Sequence, residues 1–290
     1  MVLRQLFTRK EGVLMSRPRY TLKNLNVPVV VEFVATHVLA INALFFWSWP
    51  AVFVCVALSI FTAWIGVGLC YHRLLTHKSF ETPKWFRYLL VVVGASSGEA
   101  GPLFWVDRHR THHAHSDKEG DPHSPRDGFG WAHVLWLTFS KTESLFRVRD
   151  LKSDPGIVLI DRYYWVSQIV ISLLLLALGY LRGGTTEAVA WVSWGVGMRT
   201  TYVRHLTWSV NSFAHKFGYR NYEVDDDSRN FPPGALLAGG EWHNNHHRYQ
   251  NSARHGIKWY EFDPTYRVIV FMSWVGLAWN VKTPETTGGA

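Results

Sequence analysis

The stretch GEWHNNHH, Gly240 to His247, sets His243, His246 and His247 within five residues. HRTHH repeats the arrangement with His109, His112 and His113, and HRLLTH carries His72 and His77. Positions i, i+3 and i+4 share a helical face, so each triplet can aim three imidazoles into one pocket. The pair 72/77 is five apart, which an ideal helix splays, and this predicts an irregular or ending helix there. NSFAH adds Asn211 and His215, four apart and expected on one face of a continuing helix. One such cluster is commonly solvated or hydrogen-bonded histidine. Three clusters point to metal ligation.

Imidazole suits zinc, copper, iron and nickel. A structural zinc takes four ligands and a catalytic zinc usually three, so nine histidines overfill one site but serve two metals. No His is followed by Glu, which removes the HExxH zinc-protease motif, and the Glu-x-x-His of soluble di-iron bundles is absent too. An all-histidine dinuclear site is what remains.

The elements that must position these residues are strongly apolar. Pro28 to Trp49 is broken only by Glu32, Thr36, His37, Asn42 and Ser48, while Pro50 to Tyr71 and Tyr163 to Leu181 carry no charge. A helix needs about 20 such residues to cross about 30 Å of hydrocarbon. A fourth segment, Ala188 to Trp208, starts apolar but admits Arg199, Arg204 and His205. A mid-bilayer charge costs roughly 2.5–3.5 kcal/mol, so that half is expected to face protein or water. Phe86 to Val106 and Val268 to Val281 read as interfacial or packed against the spans. The expected spans are thus 28–49, 50–71, 163–181 and 188–208; a soluble protein would not carry uncharged runs this long.

Arg4, Arg9, Lys10, Arg17, Arg19 and Lys23 precede the first span, and the second loop and C-terminal region hold most of the other Lys and Arg. The positive-inside rule then makes both termini and the second loop cytoplasmic, with every histidine cluster on that side. The net charge of +8 fits a surface near anionic lipid. Nothing resembles a nucleic-acid-binding motif, no removable signal peptide is evident, and Cys55 and Cys70, both in the second span, do not make a disulfide framework. The reading is an all-α membrane protein of one domain, residues 1–290: four transmembrane helices with a cytoplasmic helical cap holding a histidine-rich dinuclear metal site.

The stretches YHRLLTHKSFETPKW, HRTHHAHSDKEGDPHSPRDGF, NSFAHKFGYR, DDDSRN and EWHNNHH…NSARHG cover most of the chain from about Gly66 to Val281. In order and spacing they resemble the integral-membrane fatty acid desaturases, most of all the acyl-CoA and acyl-lipid delta-9 branch. One departure is Gly-Gly-Glu-Trp at Gly239 to Trp242, where such enzymes often read Gly-Glu-Gly-Trp; this leaves open the role of Glu241.

The resemblance implies two irons that activate O2 and strip one hydrogen from each of two adjacent methylenes, with zinc able to replace iron in overexpressed material. Matched by position, His72, His77, His109, His113 and His246 would bind one iron. His112, His215, His243 and His247 would bind the other, with Asn211 holding a water on it. Trp105, Trp136, Thr207 and Trp208 are candidates to line a substrate tunnel, against ordinary packing. His37, His115, His123, His133, His205 and His255 receive no ligand role; His115 and His123 could stand behind the ligands, but solvated loop is the reading preferred for both. The acyl chain would arrive on lipid or CoA. No His-Pro-Gly-Gly haem motif is present, so two electrons must come from a separate ferredoxin, rubredoxin or haem protein. The expected location is a bacterial inner membrane. Two rivals are a hydroxylase or ketolase of the same superfamily, and a metal transporter, which would want ligands at mid-bilayer.

Overall fold

The computed structural model describes residues 24–139 and 145–287; the basic residues from Arg4 to Lys23 lie outside them. Among the described residues the chain is helical, with no strand and two isolated bridges, Glu81 to Trp279 and Tyr219 to Asn230.

Helix α1, Val27–Ala43, stops well short of the expected Trp49. Phe45 N and Phe46 N turn back onto Asn42 O and Ala43 O, and Ser48 is extended as the cap of the next helix. Pro50 explains the restart, because proline fits a first helical turn but not a helix interior. Helix α2, Trp49–Thr76, is α-helical to Ile60 and π-helical from Phe61. It runs five residues past the expected Tyr71 and so carries His72. Phe86 to Val106 is split in two: α3, Lys84–Ala95, and α4, Pro102–His115, flank a bend with positive φ at Gly98 and Ala100. Then come α5, Pro155–Arg162, whose cap Asp154 accepts from Gly156 N and Ile157 N, and α6, Tyr164–Val192.

Helix α6 breaks at Gly183 (φ −163°) and Gly184 (φ 71°). The chain folds back there: a methyl group on Gly179 would lie 2.8 Å from Ala188, and one on Gly195 2.5 Å from Leu175. A π turn, Ser193–Met198, leads into α7, Arg199–Ser212. Short helices α8 (Pro232–Leu237), α9 (His243–Arg248) and α10 (Pro264–Trp274) follow, and a single turn, Pro284–Thr287, comes last among the described residues.

Two runs, Trp49–Thr76 and the folded Tyr164–Ser212, are long and apolar enough to cross a membrane, and α1 is a shorter apolar helix. Only 11% of the apolar window in the second run is buried, and Val31, Val34 and Val38 of α1 also point outward. Continuous apolar surface of this kind suits lipid better than water. Beneath the histidines a core joins Leu69, Tyr71 and Leu74 of α2 to Val91 of α3, Val106 of α4, Ile157 of α5 and Ile269 of α10. Small residues let α2 and α3 approach closely, since a methyl group on Gly94 would sit 2.3 Å from the Tyr71 ring.

Candidate metal centre

At the end of α2, His77 N donates to His72 O at 3.1 Å, an i→i+5 bond. This π turn takes up the five-residue spacing and leaves the two rings 4.8 Å apart. On α4 the triplet does not share one pocket. At about 100° per residue, i+4 lies about 40° to one side of i and i+3 about 60° to the other. His109 and His113 therefore turn one way and His112 the other; on α9, His243 and His247 separate from His246 in the same manner.

The nine histidines gather into two sets: His72, His77, His109, His113 and His246, and His112, His215, His243 and His247. Within each set one nitrogen from every ring lies within 4.8 Å of the others. His215 reaches its set from a turn, not from a continuing helix, because α7 ends at Ser212.

Contacts within the sets are nitrogen to nitrogen. His246 Nε2 is 3.0 Å from His72 Nε2 and 2.9 Å from His113 Nε2, and His243 Nε2 is 2.8 Å from His215 Nε2. The buried Nε2 atoms of His77, His112 and His247 have no protein partner at all. Burial pushes His77, His109, His113, His243 and His246 well below the ordinary imidazole range, and His247 down to about 4. At His112 burial acts in the same direction, but Asp121 outweighs it and the net shift is upward. Converging neutral lone pairs with orphaned nitrogens are the donor set a divalent metal takes, and they fit two such ions.

The opposite side of four rings is held by carboxylates. His112 Nδ1 lies 3.0 Å from Asp121, His215 Nδ1 2.9 Å from Asp117, His247 Nδ1 2.7 Å from Asp226 and His72 Nδ1 3.1 Å from Glu241. A carboxylate on Nδ1–H fixes the tautomer that presents Nε2 to a metal. Sequence reasoning found none of these four partners. Burial alone would raise the Glu241 carboxyl, yet His72, His255 and Arg73 hold it well below its usual range. The Gly-Gly-Glu-Trp departure is now explicable. Gly239 and Gly240 both have positive φ, and a methyl group on Gly240 would lie 2.5 Å from the Asp263 backbone. That tight turn sets Glu241 under His72 and His255.

Arg73, fully buried, ties this turn to α2 through Ala253 O, Asp263 and Gly240 O. His255 is no bystander either: its Nδ1 lies 3.0 Å from Glu241, and its ring packs 4.6 Å from His246. His123, read as solvated loop, is buried 4.5 Å from the His112 ring, with burial pushing it down to about 3. Both belonged to the family-like stretches, NSARHG and DPHSP, which was the available signal. His115 stays partly exposed beside Arg147. His37, His205 and His133 form a hydrogen-bonded chain of their own, at 3.0 and 2.9 Å, ending on Ser212 Oγ.

A cavity of about 310 Å³ reaches the first set at His109. Trp105, Trp136, Thr207, Trp208 and Asn211 all line it, with Phe33 and Phe104. A second cleft, also about 310 Å³, reaches His113 of one set and His247 of the other.

The family model for fatty acid desaturases matches residues 47–272. A protein from Anabaena variabilis named sn-1 stearoyl-lipid 9-desaturase is 43% identical over 82% of this chain and 86% of its own length. A Synechocystis protein of the same name is 40% identical over 90% of this chain and 82% of its own. A Nostoc protein named sn-2 palmitoyl-lipid 9-desaturase is 39% identical over 89% and 91%. The match runs through every element that bears a histidine of the two sets, from α2 to α9, and with it the chain belongs to the fatty acid desaturase family.

Proposed function

We propose that the protein is a delta-9 acyl-lipid desaturase that inserts a cis double bond between the ninth and tenth carbons of a saturated chain. The observation that carries this is the two histidine sets beside an aromatic cavity that His109 and Asn211 help to line. Relatives named as lipid 9-desaturases over nearly the whole chain support the position and the lipid carrier. Two irons bound by the nine histidines would supply the O2-dependent oxidation that unactivated C–H bonds require. The chain itself does the rest. Asp117, Asp121, Asp226 and Glu241 orient the ligand rings; Trp105, Trp136, Thr207 and Trp208 confine the acyl chain; Asn211 holds a water.

We read the whole chain as one domain with four spans, α1, α2 and the two limbs of the Tyr164–Ser212 hairpin. Ser48 and Trp191 both bond to Glu187, which ties the first connection to the third on the side away from the histidines. The histidine side is then cytoplasmic by the positive-inside rule. Electrons from a separate ferredoxin, rubredoxin or haem protein would enter by the cleft at His113 and His247. Expression in a host lacking the activity, followed by mass spectrometry of each lipid class, tests the reading. New double bonds at the ninth carbon are expected; hydroxylated chains, or no change, would overturn it.

A further inference from the structure

The carboxylates behind the histidines are divided unequally between the two sets. In the four-histidine set three rings rest on one each: His112 on Asp121, His215 on Asp117 and His247 on Asp226. In the five-histidine set Glu241 stands behind His72, while the buried Nδ1 atoms of His113 and His246 have no protein partner.

The surroundings of these carboxylates differ as well. Glu241 lies 3.5 Å from one nitrogen of the buried Arg73, whose other terminal nitrogen lies 3.0 Å from Asp263. The three aspartates instead accept from uncharged backbone groups. Asp117 takes Asp227 N at 2.7 Å, Asp121 takes Asp117 N at 2.8 Å and His123 N at 3.1 Å, and Asp226 takes Ser228 N at 2.9 Å. Backbone N–H donors of this kind favour the ionised carboxyl. The neighbouring cations Lys118 and Arg126 pair with Asp225 and Asp227. Glu241, Asp263 and Arg73 together thus leave one negative charge behind the five-histidine set, whereas Asp117, Asp121 and Asp226 leave three behind the other. The side chains of Asp117 and Asp121 are fully buried and that of Asp226 is 11% exposed. Buried charge is costly without an opposite charge beside it, so the four-histidine pocket calls for the more highly charged cation.

Imidazole is a neutral ligand, so five nitrogens against four change the charge of neither site. A carboxylate on Nδ1–H makes the imidazole more basic and tunes the metal that it faces. Added negative charge favours the ion with one more positive charge. Building on the proposed two-iron centre, we infer that the sites are unequal: Asp117, Asp121 and Asp226 make the four-histidine set favour ferric ion, so that it is oxidised first and reduced last. The five-histidine set favours ferrous ion. The three aspartates are positioning residues that act through the rings they hold. Of the two electrons supplied from outside, the second is therefore the harder to deliver.

Full-length protein loaded with two ferrous ions is titrated anaerobically with ferricyanide, each equivalent taking one electron to become ferrocyanide. Mössbauer spectroscopy counts ferric and ferrous ions at each potential. Two one-electron steps are expected, and substitutions assign them. Asp117→Asn and Asp226→Asn keep an acceptor for the ring N–H but remove the charge, so each should raise the potential of the first step more than that of the second. Glu241→Gln should do the reverse. A single two-electron step, aspartate variants that leave the first step in place, or a first step that follows Glu241→Gln would overturn the inference. Where an aspartate variant keeps only one iron, it is compared with His77→Ala, which vacates the five-histidine set. Iron left in His77→Ala should then oxidise at the lower potential, and the opposite order overturns the inference. Wild-type protein that takes up fewer than two irons sinks the proposed centre instead.

Discussion

Each of the rings His72, His112, His215 and His247 has a carboxylate on Nδ1, so its Nε2 can only point inward. Six of the nine ring positions are legible in the sequence because the i+3 and i+4 spacings of the two triplets survive folding; His72 and His77, five apart, and the isolated His215 are legible from the family-like stretches around them. Their carboxylates are not, since Asp117 stands 98 residues from His215 and only tertiary contact joins them. His215→Ala should abolish desaturation and lower the metal count from about two toward one, measured by metal analysis of purified protein. His205→Ala, which alters only the separate His37–His205–His133 chain, should retain both metals. Asp117→Asn should weaken metal binding roughly 10- to 100-fold in competition with a chelator, while leaving the fold intact. Glu99 yields a pH prediction of definite sign. Its folded value of about 8 lies above the unfolded value of about 4.5, so its contribution to stability is present below that lower value and is lost as pH rises through 8. The thermal midpoint of the wild type relative to Glu99→Gln should therefore fall across that window; a flat difference would mean that the carboxyl is ionised throughout.

Helix α2 decides how the Gly240–His247 stretch meets His72 and His77. Arg73 leaves the π segment and binds the Gly240–Asp263 region through a charge that water does not reach. Breaking a buried pair strands the partner charge, so Arg73→Leu should cost about 3–5 kcal/mol and release metal, read by thermal unfolding and metal content together. Gly94→Ala drives a methyl group into the Tyr71 ring and should cost about 1–3 kcal/mol with no direct contact to any histidine of the sets. The segments themselves were readable from hydropathy, and so was the break between Leu181 and Ala188. Their ends were not. Hydropathy does not register that Pro50 forces a restart after Ala43, nor that π bonding carries α2 on to Thr76. The bend at Gly98 to Ala100 was hidden for a related reason: its apolar neighbours on both sides made one run of what are two helices.

Across the molecule the two sets draw on α2, α4, α9 and the turn after α7, elements up to 175 positions apart in sequence. Metal bound at such a junction stabilises only the assembled state. Stripping metal with a chelator should lower the thermal midpoint, and returning ferrous iron or zinc should restore it. At a free metal concentration 100 times Kd, the difference is about 2.7 kcal/mol per site. An unchanged midpoint would show that the bundle is rigid without the ions.

The regular geometry of α7 has a consequence for how new products could evolve. Thr207 and Trp208 are neighbours in sequence and both line the cavity, so two lining side chains are offset along the helix axis by about 1.5 Å, close to the length of one methylene. Moving bulk between these two positions would therefore shift a bound chain by about one carbon, and point substitution along this face yields closely spaced products.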